Sequence, residues 1–164
     1  MIPRLTTARL LLREPRVSDF DEFARNGADA SARVHSGGTI DARDAWRRFH
    51  AGIGYWFSLG MGWWMVEKQG LAAIGSVGVF RSGPVSQIEI GWSIYRQHWN
   101  NGYATEAARA ALDFALGTLA TDRVVAHIVK MNVASVRVAT KIGMRCEGTS
   151  DVYGETDWLY VRER

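Results

Sequence analysis

Between residues 86 and 94 apolar and polar positions alternate. Ile88, Ile90, Trp92 and Ile94 fall on one face, and Gln87, Glu89, Gly91 and Ser93 on the other. That period of two predicts a strand with one buried face and one polar or bare face. Residues 63–67 and 71–80 are β-rich runs separated by Lys68, Gln69 and Gly70, which predicts a hairpin. Residues 9–14 form a further short strand, closed by Pro15. Elsewhere the period lengthens to that of a helix. Ser18 is placed to cap a helix running to about Asn26, with Gly27 ending it, and Thr39 or Asp41 to cap a second helix carrying Ala45, Phe49, Ile53, Trp56 and Phe57 as its stripe. A long helix is predicted from Gly102 to about Leu119, with Ala104, Ala108, Ala111, Leu112, Ala115 and Leu119 as a stripe of mostly small residues that allows close packing on a sheet. Residues 123–131 then read as a buried strand, Asn132 as the cap of a short helix ending near Gly143, and residues 145–152 and 157–162 as two closing strands. Strands and helices in this order predict an α+β fold, a mostly antiparallel sheet with helices on its faces.

Composition narrows the classes available. With 164 residues, 47% of them hydrophobic, the chain suits one domain spanning residues 1–164. No apolar stretch approaches the roughly 20 residues needed to cross a bilayer, and the first residues lack a secretory pattern, so a soluble cytoplasmic protein with no membrane partner is expected. Cys146 is the single cysteine and no His/Cys grouping has zinc spacing, so neither an intrachain disulfide nor a structural metal is expected. The net charge of +3 is carried by scattered arginines without a basic stripe interleaved with aromatics. Nucleic acid is therefore not expected as a partner.

The candidate chemistry centres on Trp99-Asn100-Asn101-Gly102-Tyr103-Ala104-Thr105-Glu106-Ala107, where strand gives way to turn and helix. The first helical amides, Asn101 to Thr105, lack intrahelical partners, and with the helix dipole they make an anion site. Gly102 lets the backbone approach a phosphate closely, and Asn100 and Asn101 tolerate left-handed angles. Spacing alone fits an Asn-Gly turn opening an ordinary helix equally well.

These residues resemble the GNAT superfamily of N-acetyltransferases. Its cofactor motif, Gln/Arg-x-x-Gly-x-Gly/Ala, is matched by Gln97 to Gly102 except that Asn100 replaces the first glycine. The continuation from Gly102 to Ala107 is similar to the branch containing ribosomal-protein-alanine N-acetyltransferases, as is the opening Leu5-Thr-Thr-Ala-Arg-Leu-Leu-Leu-Arg13. Ile88 to Trp92, Asn132 to Ser135, Lys141 to Gly143, and Tyr153-Gly154 with Asp157 resemble further family segments in chain order. The resemblance implies a GNAT fold of about seven strands and about four helices, splayed between its fourth and fifth strands. It implies acetyl-CoA as acyl donor, with the pyrophosphate on the amides of Asn101, Gly102, Tyr103, Ala104 and Thr105 beside Gln97 and Asn100. The pantetheine arm would lie along Trp92, Ser93 and Ile94 and meet Asn132 and Ser135.

Acetyl transfer to an amine needs a neutral nucleophile, a stabilised oxyanion and a proton for the departing thiolate. Glu89 is the candidate base, since it shares the polar face of the strand beside the slot; a solvated strand carboxylate is the plain alternative. Many family members take the acid from a tyrosine seven residues beyond the cap asparagine. That position is Ala139 here, and Ser135 is the substitute that the ribosomal-protein branch suggests. The aromatics Trp46, Tyr55, Trp56, Trp63 and Trp64 are expected chiefly in the core, but the second helix and its flanking loop border the substrate side in this family, so some of them, Trp56 first, are expected on the acceptor side with Glu89 and Tyr153. Direct attack in a ternary complex on a primary amine, either a protein N-terminus or a small molecule, is the leading expectation. A homodimer is compatible with it. A catalytically idle sensor that binds CoA is the alternative, motivated by Asn100 and Ala139.

Overall fold

The computed structural model describes residues 1–68, 70–83, 86–152 and 154–164, and only the backbone of Val152 and Glu155. Its strands are β1 (Leu5–Thr6), β2 (Leu10–Arg13), β3 (Trp63–Lys68), β4 (Ala73–Phe80), β5 (Ile88–Ile94), β6 (Arg123–Ile128), β7 (Arg145–Val152) and β8 (Glu155–Glu163). They form one sheet in the order β1-β2-β3-β4-β5-β6-β8-β7, in which β5 and β6 run parallel and every other neighbouring pair is antiparallel. The helices are α1 (Phe20–Ala28), α2 (Ala30–Arg33), α3 (Ala42–Leu59), α4 (Tyr103–Gly117) and α5 (Val133–Lys141). The expected α+β class therefore holds, with eight strands instead of about seven and five helices instead of about four. The additions, β1 and α2, are two and four residues long, too short to show a period.

Strand alternation sorts the core onto the two faces of the sheet. Trp64, Val66, Ile90 and Ile94 join the alanine face of α4 (Ala107, Ala108, Ala111, Ala115) in the larger cluster. Met65 and Tyr95 meet Phe49 of α3 on the other face, with Phe20 and Phe23 of α1 beside them. The small residues of α4 let it pack closely on β4 and β5, which fixes its N-terminus beside the end of β5.

Several local expectations shift. Ser18 does not cap α1: residues Val17–Asp19 form a 3-10 turn, and Asp19 holds the entry by accepting from the Arg16 N–H at 2.8 Å. Gly27 does not end α1 but is buried in its last turn. A β-carbon there would meet Ile40 Cγ1 at 2.9 Å, so the missing side chain is what lets residues 34–40 fold back over the helix. Asp41, not Thr39, caps α3 by accepting from Asp44 N–H at 2.8 Å. The buried stripe of α3 is Ala45, Phe49, Gly52 and Trp56, while Phe57 is 80% exposed.

Candidate active site

Strands β5 and β6 are paired only at Ile88↔Val124 and Glu89↔Val125, whereas β5 continues against β4 as far as Ile94↔Gly75. Past Glu89, the β6-facing edge of β5 therefore has no registered partner in β6, which is the splay expected from the sequence. The edge ends in a constrained loop. Trp99 Nε1 donates to Ile94 O at 2.6 Å, and Asn101 Nδ2 donates to Trp99 O at 2.8 Å and His98 O at 3.2 Å. Asn100 has φ 61° and Gly102 φ 78°. Asparagine tolerates the left-handed region better than most residues with a side chain, so Asn100 makes the turn that a glycine would otherwise supply. Gly102 is the N-cap of α4; no side chain caps this end, and the first backbone bond returning to the cap is Glu106 N–H to Gly102 O at 3.1 Å. The amides of Tyr103, Ala104 and Thr105 thus face outward at the positive end of a 15-residue helix.

The N-terminal segment braces this loop. Glu106 accepts from Thr7 Oγ1 at 2.6 Å, from Arg9 N–H at 2.9 Å and from Arg9 Nε at 2.7 Å, while Arg9 Nη1 donates to Asn101 O at 3.0 Å. The Arg9 guanidinium also lies 4.7 Å from the centroid of the Tyr103 ring. Burial raises the Glu106 pKa, but the Thr7 and Arg9 hydrogen bonds and the Arg9 charge outweigh it and hold the carboxyl below its usual value. The two segments Leu5 to Arg13 and Gly102 to Ala107, separate signs in the sequence, form one joint in the fold.

Glu89 is 4% exposed and accepts from the Ser82 hydroxyl. It is not the solvated carboxylate of the plain alternative. Its hydrogen-bond partner Ser82, and Ser93 on the same face of β5, are in the wall of a cavity of about 390 Å³ between the sheet and helices α1 and α3. Trp63 forms another wall, stacked on Phe80 with centroids 5.2 Å apart. It can lie flat on the sheet because Gly78 and Gly91 have no side chains; a β-carbon at Gly78 would sit 2.5 Å from the indole.

The remaining expected residues divide between the site and the core. Ser93 lines the cavity, Trp92 is half-buried and Ile94 is buried. Asn132 caps α5 by accepting from Ser135 N–H at 3.1 Å, which leaves Ser135 half-buried in the first turn of that helix, and Ala139 is fully buried. Gln97 turns its amide to Glu22 at 2.9 Å, away from the loop. Tyr103 and Ala104 pack against the core, so what they offer the loop is backbone. Trp56, expected on the acceptor side, is instead a core residue: its Nε1 donates to Trp63 O at 3.1 Å and its ring meets Trp64 edge-on. The preceding residue, Tyr55, takes the place in the cavity wall. Tyr153 lies outside the described residues. Sequence reasoning missed Ser82, which no motif marks.

The family model described as Acetyltransferase (GNAT) domain matches residues 9–145. The chain belongs to the GNAT acetyltransferase family. It is 37% identical over 112 residues to the uncharacterized protein YkkB of Bacillus subtilis (strain 168), a match that covers 67% of this chain and 63% of YkkB. The structure of an acetyltransferase from Agrobacterium tumefaciens str. C58 superposes with a TM-score of 0.92 at 30% identity, covering 100% of this chain and 96% of that one. RimL, a ribosomal L7/L12 alpha-N-protein acetyltransferase solved in complex with coenzyme A, shares the fold, with a TM-score of 0.77 at 16% identity over 99% of this chain and 97% of its own. Among the described residues no group of three His, Cys, Asp or Glu is arranged to hold a metal ion, and no helix is long and apolar enough to cross a membrane.

Proposed function

We propose that this protein is an N-acetyltransferase that moves the acetyl group of acetyl-CoA onto a primary amine by direct attack, without an acyl-enzyme. One observation carries the reading: past the buried Glu89 the edge of β5 leaves β6 and runs to a helix N-terminus with outward-facing amides. The amides from Asn101 to Thr105 suit a pyrophosphate. Arg9, Arg109 and Lys141 border an opening of about 530 Å³ beside Gly102 and Thr105, together with Glu106, which pairs with Arg9, and Asp113; Arg109 and Lys141 suit the nucleotide end of the same molecule. Trp92, Ser93 and Ile94 would run beside the pantetheine arm, and Asn132 would meet it from α5.

Acetyl-CoA supplies an activated acyl carbon and a thiolate leaving group. The protein's own work is to prepare the amine and handle protons. Glu89 takes a proton from the acceptor ammonium, directly or through the Ser82 hydroxyl that it already binds, and so frees the nitrogen lone pair. Ser135 donates to the departing sulfur. A backbone N–H near Trp92 on the open edge of β5 stabilises the carbonyl oxygen as it gains charge.

The finer assignment, to the ribosomal-protein branch, rests on the sequence segments and on the likeness to RimL. Thr7 and Arg9 of the opening segment bind Glu106, and Arg13 binds Asp19 and Glu67. Thr7 and Arg9 brace the proposed donor loop, and none of these contacts selects the acceptor. A cavity of about 390 Å³ suits a small molecule better than a peptide groove.

The test is thiol release from acetyl-CoA with a panel of amines and short peptides. Amine-dependent release with matching acetylated product supports the reading. Tight acetyl-CoA binding with no release above background for any acceptor would instead favour the idle sensor. Ser135→Ala is expected to lower kcat about 10-fold or more while leaving the acceptor KM within a factor of two, the pattern of a group acting mainly in the transition state. Glu106→Gln removes the charge held by Arg9 and is expected to weaken CoA binding several-fold by calorimetry and to lower stability by about 1 kcal/mol, the pair being partly exposed.

A further inference from the structure

The charge of the acceptor cavity is one-sided. Arg33, Arg48 and Arg81 line it, and no Asp or Glu is among its described lining residues. Several arginines elsewhere are matched with carboxylates, Arg4 with Glu14, Arg13 with Asp19 and Glu67, and Arg123 with Glu147 and Glu163, while Arg109 and Arg162 bind carbonyls. Among the described residues Arg33 donates to the carbonyls of Ser36 and Gly38, and Arg81 to the carbonyl of Ser86. Arg48, exposed on α3, has no ion-pair partner among the described residues. Burial, and then the positive charge of Arg48 nearby, push the Arg33 pKa below its usual value. Two like charges beside one pocket are costly until an anion lies between them. Glu89 bonds the wall residue Ser82, while Asp19 is engaged with Arg13, and Glu22 with Arg25 and Gln97. The rest of the wall is largely aromatic, with Phe49, Tyr55, Trp63 and Phe80 offering an apolar body a place to lie.

We infer that the acceptor is a small amine that also carries an anionic group, a carboxylate or a phosphonate, as a free amino acid does. Its anion lies on Arg33 and Arg48, its apolar part on the aromatic wall, and its nitrogen at the Ser82 end, where Glu89 waits. The inference rests on the proposed acetyl transfer. It disfavours polyamines and other polycations, which would bring positive charge onto three arginines.

The experiment compares matched acceptors under identical acetyl-CoA: L-phenylalanine with phenethylamine, L-leucine with isopentylamine, and an aminoalkyl phosphonate with the parent alkylamine, alongside spermidine and a short acidic peptide. The anionic member of each pair is expected to have a kcat/KM about 10- to 100-fold above its partner, the effect of one or two charge-assisted hydrogen bonds. Arg48→Gln, on an exposed helix face where folding is safe, is expected to remove most of that preference while leaving acetyl-CoA affinity unchanged. Equal or faster turnover of the uncharged amines, or preference for spermidine or the peptide, overturns the inference and leaves acetyl transfer intact. If no amine reacts, calorimetry on the CoA-bound protein decides the matter separately. Binding of N-acetyl-L-phenylalanine but not of its amide, abolished by Arg48→Gln, upholds an anion-binding cavity even as the transfer reading falls; equal binding of the two overturns it.

Discussion

Replacing Glu89 with glutamine is expected to lower kcat/KM for the acceptor amine by about 100- to 1,000-fold near neutral pH, within the range that general bases contribute. Glutamine keeps an oxygen that can accept from the Ser82 hydroxyl, so the cavity wall should hold its shape while the proton acceptor is lost. The defect should shrink as the pH rises toward the amine's own pKa, because solution then supplies the free amine that Glu89 otherwise generates. Acetyl-CoA binding should hold, since the amides that suit the pyrophosphate lie at the far end of the β5 edge. A variant within twofold of the parent rate at pH 7, with the same pH profile, would remove Glu89 from the reaction.

The second large effect is on stability. Arg13 and Asp19 form a bidentate pair at 2.8 and 2.7 Å, with side chains only 3% and 6% exposed, and Glu67 binds the remaining side of the guanidinium. Asp19→Ala strands a buried arginine and takes the acceptor from the Arg16 N–H at the entry to α1. A loss of about 3 kcal/mol or more is expected in urea unfolding. A change below about 1 kcal/mol would show that Glu67 alone satisfies Arg13.

The same cluster sets the acid limit. Burial raises the Asp19 pKa, but the Arg13 hydrogen bonds, the Arg16 N–H and the nearby positive charge bring it below its usual value. Glu14 is lowered to about 2, chiefly by its hydrogen bond to Arg4. A carboxyl whose folded pKa is depressed binds fewer protons in the native state than in the unfolded chain. Its contribution is therefore complete above the unfolded value and is lost as pH falls through the folded one. Stability should drop between about pH 4.5 and about pH 2, and Glu14→Gln should flatten that drop. An unchanged slope in urea midpoints over this range would contradict it.

Where one periodicity governed one element, the sequence was legible. The alternation around Glu89 predicted β5 and its two faces, and the alanine stripe predicted which side of α4 packs. The loop before α4, the candidate donor site, was legible because Asn100, Gly102 and the uncapped amides act through backbone conformation, which nearby residues set. Legibility failed where two apolar residues competed for one face. On α3 the sequence offered Trp56 and Phe57 together, and the packing of Trp56 on Trp64 and of Gly52 on Trp63 goes with a rotation that turns Phe57 to solvent and Tyr55 to the cavity. Nothing in the linear order says that Arg13 and Asp19 are buried as a pair.

By itself the sequence determined the fold class, the left-handed loop opening α4 and the strand that carries the candidate base, since each is written in a stretch of neighbouring residues where local backbone preferences and burial period act. The tertiary structure decided that Glu89 is buried under Ser82, that Thr7 and Arg9 brace Glu106, and that Arg33, Arg48 and Arg81 surround one cavity. Those groups come from separate elements. Their energies depend on distance and desolvation, which exist only once the sheet has brought the elements together.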